Sequence, residues 1–127
     1  MNELDSGELA DGSQALIVIW TTTSTLLQAE SIAKGLLGEA DTSPLAACVQ
    51  IDGPMTSWYR WKGQLEHETE HRVVIKTTRS LSTIVIDWLT ANHPYEEPQI
   101  VAMPVIAVSD GYGRWVADAV KASVTDD

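Results

Sequence analysis

Residues 15–20 (ALIVIW) constrain the fold of this chain more than any other segment. A strand with one solvated face alternates apolar and polar residues, whereas a continuous apolar run rich in β-branched side chains is typical of a strand covered on both faces. Such a strand lies inside a sheet rather than at its edge. Because 127 residues are the length of a single domain, we expect this segment to be a central strand of one sheet.

A helix and a second strand follow the first strand. Thr25 and Gln28 have the spacing of a capping box, and apolar residues then recur at helical intervals as far as Gly38. Residues 45–51 (LAACVQI) form a strand-like apolar segment, and the Gly-Pro pair at 53–54 predicts a bend or bulge after it. The sequence therefore predicts one helix between two strands.

The middle of the chain predicts a hairpin. Residues 57–61 (SWYRW) and 71–78 (HRVVIKTT) are both rich in aromatic or β-branched side chains, and a turn at 62–64 separates them. Two strands joined in this way pair antiparallel, so we expect them to be neighbours in the sheet.

The last part of the chain predicts a second helix, a fourth strand and a short third helix. Apolar residues in 81–89 recur at intervals of three and four, and Pro94 closes this pattern. Residues 99–108 (QIVAMPVIAV) are predicted as the fourth strand, which Pro104 restricts to an edge or bulged position. The short helix is expected around residues 115–120.

The order strand, helix, strand, strand, helix, strand is an α+β arrangement. It is the split βαβ pattern (β-α-β-β-α-β) of the ferredoxin-like fold, in which the right-handed crossover rule puts both helices on one face of the sheet. We expect residues 15–120 to form this domain. Acidic segments at 1–14 and 121–127 are predicted to be disordered tails.

The charge of the chain excludes two classes of partner. Asp and Glu number 18 against 8 Lys and Arg, which gives a formal net charge of −10. Such a chain repels phosphate backbones and anionic membranes, so we expect no nucleic acid and no membrane as partner. The lone cysteine and the absence of a signal-like start indicate a cytoplasmic location.

Aromatic side chains project from both faces of the first hairpin strand. Successive strand residues point to opposite faces, so Trp58 and Arg60 share one side while Tyr59 and Trp61 share the other. Helices on one face of a sheet bury one of these sides, and each exposed aromatic ring then leaves up to about 150 to 250 Å² without cover. We therefore expect a homo-oligomer; scattered surface aromatics are the alternative interpretation.

Residues 67–71 (HETEH) match the H-E-x-x-H pattern of zinc hydrolases. On a helix this spacing puts both imidazoles on one face. Here a glycine turn precedes the segment and a β-branched run follows it, so a strand is predicted, in which His67 and His71 lie roughly 13 Å apart and share no ion. We interpret both histidines as outward polar residues and the alternating glutamates of 66–70 as a solvated face, and we predict no enzyme.

Cys48 and His93 are the candidate metal ligands. Cys48 lies in an apolar strand, where a free cysteine usually behaves as a small hydrophobe. His93 begins the segment HPYEEP, in which Glu96 and Glu97 lie close enough to tune the imidazole or to help hold a cation. One histidine falls short of the three or four ligands of a dedicated metal site, so a capping or packing role for His93 stays open beside metal binding.

Several segments together resemble one known family, the CutA divalent-cation-tolerance proteins. The resemblance rests on LAACVQI at 45–51, SWYRWKGQLEHE at 57–68, HRVVIKTT at 71–78 and HPYEEPQIVAMPV at 93–105, in this order. It covers nearly all of residues 15–120. It implies a ferredoxin-like subunit that forms a compact homotrimer through the hairpin at 54–78, in agreement with the aromatic argument.

The resemblance also implies a role in tolerance of copper and other divalent metals without a settled enzymatic activity. The copper pattern of the family has a Cys that closes the first strand and two adjacent His before Pro-Tyr, and the matching positions here are Trp20, Asn92 and His93. Of these, His93 alone keeps a metal-binding side chain, and Cys48 remains as a soft ligand. We expect no required cofactor, and weak contact with copper or another divalent cation through His93 and Cys48.

Trimers of ferredoxin-like subunits are also similar to PII-type signalling proteins, which bind small effectors in clefts between subunits. In this alternative, cationic side chains hold an anionic effector and aromatic side chains wall the cleft. The candidate residues of such a cleft are Arg60, Trp61, Lys76, Tyr95 and Trp115. Interface packing is the other interpretation of the aromatic members of this set.

Overall fold

The structure is a computed structural model that describes residues 12–39 and 43–121. These residues form a four-stranded sheet and three α-helices, which confirms the predicted α+β class. The elements are β1 (Leu16–Thr23), α1 (Leu26–Leu37), β2 (Cys48–Trp61), β3 (Gln64–Thr78), α2 (Arg79–Asn92), β4 (Val101–Pro104) and α3 (Asp110–Lys121). Most of the two predicted tails lies outside the described residues, and Gly12–Gln14 form a 3-10 turn before β1.

The sheet has the strand order β2-β3-β1-β4, with every neighbouring pair antiparallel. This is the order of the ferredoxin-like fold, as predicted. β1 lies between β3 and β4, where Ile19 pairs with Ile75 on one side and with Ala102 on the other. The continuous apolar run at 15–20 therefore marks a strand with neighbours on both edges.

The hydrophobic core lies between one face of the sheet and the helices α1 and α2. It consists of strand residues Ile17, Ile19, Val73 and Ile75 together with Ala29, Ile32, Leu36, Ala46, Val85 and Leu89. The prediction that both crossover helices share one face is confirmed. α3 packs on the opposite face, where the Nζ of Lys76 lies 5.5 Å from the ring of Tyr112. No helix within 12–39 or 43–121 is long and apolar enough to span a bilayer.

The predicted capping box begins α1. The Oγ1 of Thr25 accepts a hydrogen bond from the Gln28 amide (3.1 Å), and the Gln28 side chain accepts one from the Thr25 amide (3.3 Å). The helix ends at Gly38, whose φ of 82° is in the left-handed region that glycine favours. Both boundaries are where the sequence predicts them, because capping depends on residues close together in the chain.

The second strand differs from the prediction in where it begins. Residues 45–47 are not part of β2, because the amides of Leu45 and Ala46 bond to the carbonyl of Leu36 at the end of α1. β2 instead continues without a break through the Gly-Pro pair as far as Trp61, with an irregular register between Asp52 and Met55. The prediction of a bend or bulge at the Gly-Pro pair is confirmed, whereas the predicted start of this strand at residue 45 is three residues too early.

The elements near the C-terminus also differ in length from the prediction. β4 has four residues rather than the ten predicted, and it ends at Pro104, which lacks the amide that would continue the pairing. α3 begins at Asp110, earlier than the residue 115 predicted. As predicted, β4 lies at an edge of the sheet.

Beyond the end of β1, the hairpin projects as a two-stranded arm. β1 pairs with β3 only from His71 to Thr78, whereas residues 55–61 and 64–70 pair with each other alone within the described sheet. We call residues 55–70 the hairpin arm. Its turn is at Lys62 and Gly63, whose φ angles of 51° and 78° are those of a type I′ turn.

Candidate functional site

A groove of about 900 Å³ lies between the hairpin arm and the segment that follows α2. Its lining residues include five glutamates and four aromatic residues: Glu66, Glu68, Glu70, Glu96, Glu97, Trp58, Tyr59, Trp61 and Tyr95. No Lys or Arg is among the described residues that line it. We call it the acidic groove, and we expect it to attract cations and to repel anions.

The strand period of β3 and its pairing with β2 build one wall of the acidic groove. Glu66, Glu68 and Glu70 alternate along β3, so their side chains share one face of the hairpin arm. Tyr59 pairs directly with Glu66 across the hairpin. The alternating glutamates were predicted to be a solvated face, but Glu70 is only 8% exposed, so this prediction is wrong at the base of the arm.

Glu70 is held by a short chain of hydrogen bonds. The hydroxyl of Tyr95 donates to its Oε2 at 2.7 Å, and the Oγ of Ser24 donates to the hydroxyl of Tyr95 at 3.0 Å. Burial is the largest cause that raises the pKa of Tyr95 to about 12, and Glu70 adds to it. Tyr95 is therefore a neutral donor at physiological pH.

The carboxylates of the groove also affect the pKa of Tyr59. Desolvation is the largest cause that raises the pKa of its phenol, followed by the negative charge of Glu68. Both groove tyrosines therefore stay protonated and can donate to carboxylates or present neutral rings.

His93 connects the end of β1 to the segment after α2. Its Nε2 lies 3.0 Å from the carbonyl oxygen of Thr22 and 2.9 Å from the Oγ1 of Thr21, and its Nδ1 accepts from the Tyr95 amide at 3.0 Å. Because Nδ1 accepts, the neutral ring carries its proton on Nε2 and donates it to Thr22. Burial is the largest cause that lowers the pKa of His93. Of the two roles left open by the sequence, this geometry is that of packing and capping.

The structure does not bring the two candidate metal ligands together in one chain. Cys48 pairs with Lys76, which pairs in turn with Val18 of β1. His93 contacts Thr21 of β1. Thr21 is three residues beyond Val18, or roughly 10 Å along the strand, and β1 is two strands away from β2, which contains Cys48. Within 12–39 and 43–121 no group of three or more His, Cys, Asp or Glu could hold a metal ion.

The five candidate cleft residues lie in three places. Trp61 and Tyr95 line the acidic groove. Arg60 is at the hairpin turn, where its Nη2 donates to the carbonyl of Gly63 (3.4 Å). Lys76 of β3 and Trp115 of α3 both contact the ring of Tyr112, on the face of the sheet that α3 covers. The glutamates opposite Tyr95 were missed as site residues, although their alternation in the sequence already placed them on one face.

The H-E-x-x-H segment lies in β3, as predicted, and not on a helix. The ring of His67 stacks on Trp58 with centroids 4.5 Å apart. His71 pairs with Thr23 of β1, and its Nδ1 is buried without a hydrogen-bond partner. The strand prediction is confirmed, but His71 is less outward than the sequence suggested.

Comparison with known proteins places the chain among similar sequences and folds. The profile of the family described as "CutA1 divalent ion tolerance protein" matches residues 17–119. "Protein CutA homolog" of Xenopus laevis is 34% identical over 108 residues, which are 85% of this chain and 69% of the relative. "Protein CutA" of Homo sapiens is 37% identical over 97 residues, 76% of this chain and 54% of the relative, so the chain spans about half of that protein.

Bacterial and archaeal relatives are similar over more of their own length. "Divalent-cation tolerance protein CutA" of Salmonella newport is 33% identical, with 81% of this chain and 85% of the relative covered. The crystal structure of CutA1 from Ehrlichia chaffeensis has a TM-score of 0.77 at 30% identity, with 84% and 95% covered. A CutA structure from Archaeoglobus fulgidus, described as periplasmic, has a TM-score of 0.76 at 34% identity, with 83% and 98% covered.

Proposed function

This chain belongs to the CutA1 divalent ion tolerance family, and on that premise we propose that it acts as a non-enzymatic homotrimer in the tolerance of divalent metal ions, copper among them. The similarity of residues 17–119 to the family supports the role in cation tolerance. A cytoplasmic location stays a prediction, since the Archaeoglobus relative is described as periplasmic.

The exposed hairpin arm is the observation that most supports assembly through residues 54–78. Trp58 and Leu65 are 63% and 64% exposed, and Trp61 on the other face is 52% exposed. A two-stranded arm is marginally stable in water by itself, and exposed aromatic residues of this size are typical of interfaces. Sister subunits would cover both faces of the arm.

We place the copper contact at Cys48 and give His93 a positioning role. Both ring nitrogens of His93 are hydrogen-bonded within the chain. The thiol of Cys48 is a free, partly exposed donor of the soft type that copper prefers. A single thiol binds a copper ion only weakly, which agrees with the expectation that the protein requires no cofactor.

The PII-like alternative receives less support. None of the relatives and structures named above is a PII-type protein. Trp61 and Tyr95 line the acidic groove, but no Lys or Arg is among its described lining residues. The negative charge of the groove would therefore repel an anionic effector.

The proposal is tested by mass measurement and by calorimetric titration. Light scattering after gel filtration should give three times the chain mass of 13.9 kDa, and a monomer mass would contradict the assembly.

Copper titrated into the wild type should bind weakly. Cys48→Ser should lose about tenfold in affinity for copper, and His93→Gln should bind copper with the affinity of the wild type. Equal copper binding in all three proteins would exclude Cys48 as the contact, and ATP binding would favour the alternative.

A further inference from the structure

The hairpin arm has two faces of different charge. Glu66, Glu68 and Glu70 alternate along β3, so their side chains share the side of the arm that lines the acidic groove. They are the only acidic residues within 55–70, a range that the structure describes throughout. We call this side the groove face. The opposite side of the arm therefore carries no carboxylate.

The opposite side, which we call the back face, is aromatic, apolar and basic. Arg60 pairs with Leu65 across the hairpin and Trp58 pairs with His67, so these four side chains share one face. The rings of Trp58 and His67 stack with centroids 4.5 Å apart, and Trp58 also borders the groove. The guanidinium of Arg60 gives the back face a fixed positive charge.

The two faces are complementary to each other. Trp58 and Leu65 on the back face and Trp61 on the groove face are all exposed, so each face offers apolar surface that a neighbour can cover. The negative charge of the groove face matches the positive charge of the back face. A second copy of the chain therefore supplies the surface that each face lacks.

We propose that the back face of one arm docks on the groove face of the arm of the next subunit, so that Arg60 of one chain meets the glutamates of its neighbour. Arg60 spends one of its five N–H donors on the carbonyl of Gly63, which leaves donors for a carboxylate. The inference rests on the proposed homotrimer and adds which surfaces meet in it.

The charges of the arm disfavour a contact between like faces. In a two-fold symmetric contact both chains present the same surface to each other. Two groove faces would bring the glutamates of both chains together, and two back faces would oppose the two copies of Arg60. Like charges in contact suppress both arrangements. A contact between unlike faces avoids them and closes into a ring, which agrees with three subunits rather than two.

Charge reversal tests this contact by sedimentation of the full chain over a dilution series. Arg60→Glu should raise the dissociation constant of the trimer by about tenfold, because a carboxylate then faces the glutamates of the neighbour. Adding Glu68→Arg restores opposite charges across the contact. The double variant should have a dissociation constant within about threefold of the wild-type value. Both residues are exposed, so the variants keep their fold.

The matched control is Arg60→Glu/Glu30→Arg. It has the same net charge as Arg60→Glu/Glu68→Arg, but its reversed acid is at an exposed position of α1, away from the arm. We expect it to lower the dissociation constant of Arg60→Glu by less than about twofold.

Three results would overturn the inference in a wild type that forms a trimer. They are an unchanged dissociation constant in Arg60→Glu, no restoration by Glu68→Arg, and equal restoration by Glu30→Arg, which would show that net charge alone controls assembly. A wild type with the mass of a monomer would instead contradict the homotrimer, and the inference with it. Failure of the inference is therefore distinguishable from failure of the proposed assembly.

Discussion

At the scale of single residues, His93 shows what a local sequence pattern leaves undecided. The segment HPYEEP suggests either a ligand or a capping residue, and the choice depends on which groups face the ring. Thr21, one of its partners, is 72 residues away along the chain. The tautomer and role of His93 therefore follow from the packing of β1 against the end of α2, which no neighbouring residue reveals.

Replacing His93 should make stability less dependent on pH. Burial lowers the pKa of His93 below its ordinary value of 6.5, so the unfolded chain binds a proton more readily than the folded one. The stabilisation that its neutral ring contributes is therefore present above about pH 6.5 and is lost as the pH falls below it. Urea unfolding at about pH 7.5 and about pH 5.5 should show a smaller drop in His93→Gln than in the wild type.

The same variant should also be less stable at neutral pH, by about 1 to 3 kcal/mol, because the Tyr95 amide and the Thr22 carbonyl lose their partner. A pH dependence unchanged in His93→Gln would show that other groups cause it.

At the scale of elements, α1 and α2 contact each other closely at Gly35. A Cβ atom at this position would lie 2.6 Å from the Cη2 of Trp88, well inside van der Waals contact. The glycine is in the interior of α1, where it costs about 1 kcal/mol in helix propensity relative to alanine. The fold keeps a glycine here despite that cost, because a larger residue at position 35 would collide with Trp88 where the two helices approach each other closely.

Gly35→Ala should therefore destabilise the fold by about 1 to 3 kcal/mol despite the gain in helix propensity. Gly111→Ala in α3 is the control, because nothing lies within 4 Å of its Cβ position, and it should be neutral or stabilising. Thermal unfolding of both variants measures the difference. A rise in the melting temperature of Gly35→Ala would mean that Trp88 moves aside at little cost.

The bounds of α1 could be predicted from the sequence, whereas those of β2 and β4 could not, and the reason is physical. α1 begins and ends where its capping box and Gly38 predict, since these signals act within one turn of helix. The extent of β2 and β4 depends on pairing with β3 and β1, which is non-local. β2 therefore passes through the Gly-Pro pair at 53–54, and β4 stops at Pro104.

At the scale of the whole molecule, apolar burial and charge oppose each other in the proposed trimer. The arm offers large exposed apolar side chains for burial, while each chain brings a formal net charge of −10. Like charges on three chains repel, so the apolar contacts must outweigh this repulsion. A charge placed within the arm should then weaken assembly more than the same charge elsewhere.

Leu65 and Leu27 allow this comparison with matched side chains. Leu65 on the hairpin arm is 64% exposed, and Leu27 on α1 is 75% exposed, so neither contributes much to the core. Burying a leucine contributes about 1.5 to 3 kcal/mol, and a buried aspartate would add its own desolvation cost. Leu65→Asp should therefore raise the dissociation constant of the trimer by about tenfold or more, whereas Leu27→Asp should leave it nearly unchanged. Sedimentation of both variants over a dilution series gives the two constants, and an equal effect would show that net charge, rather than cover of the arm, controls assembly.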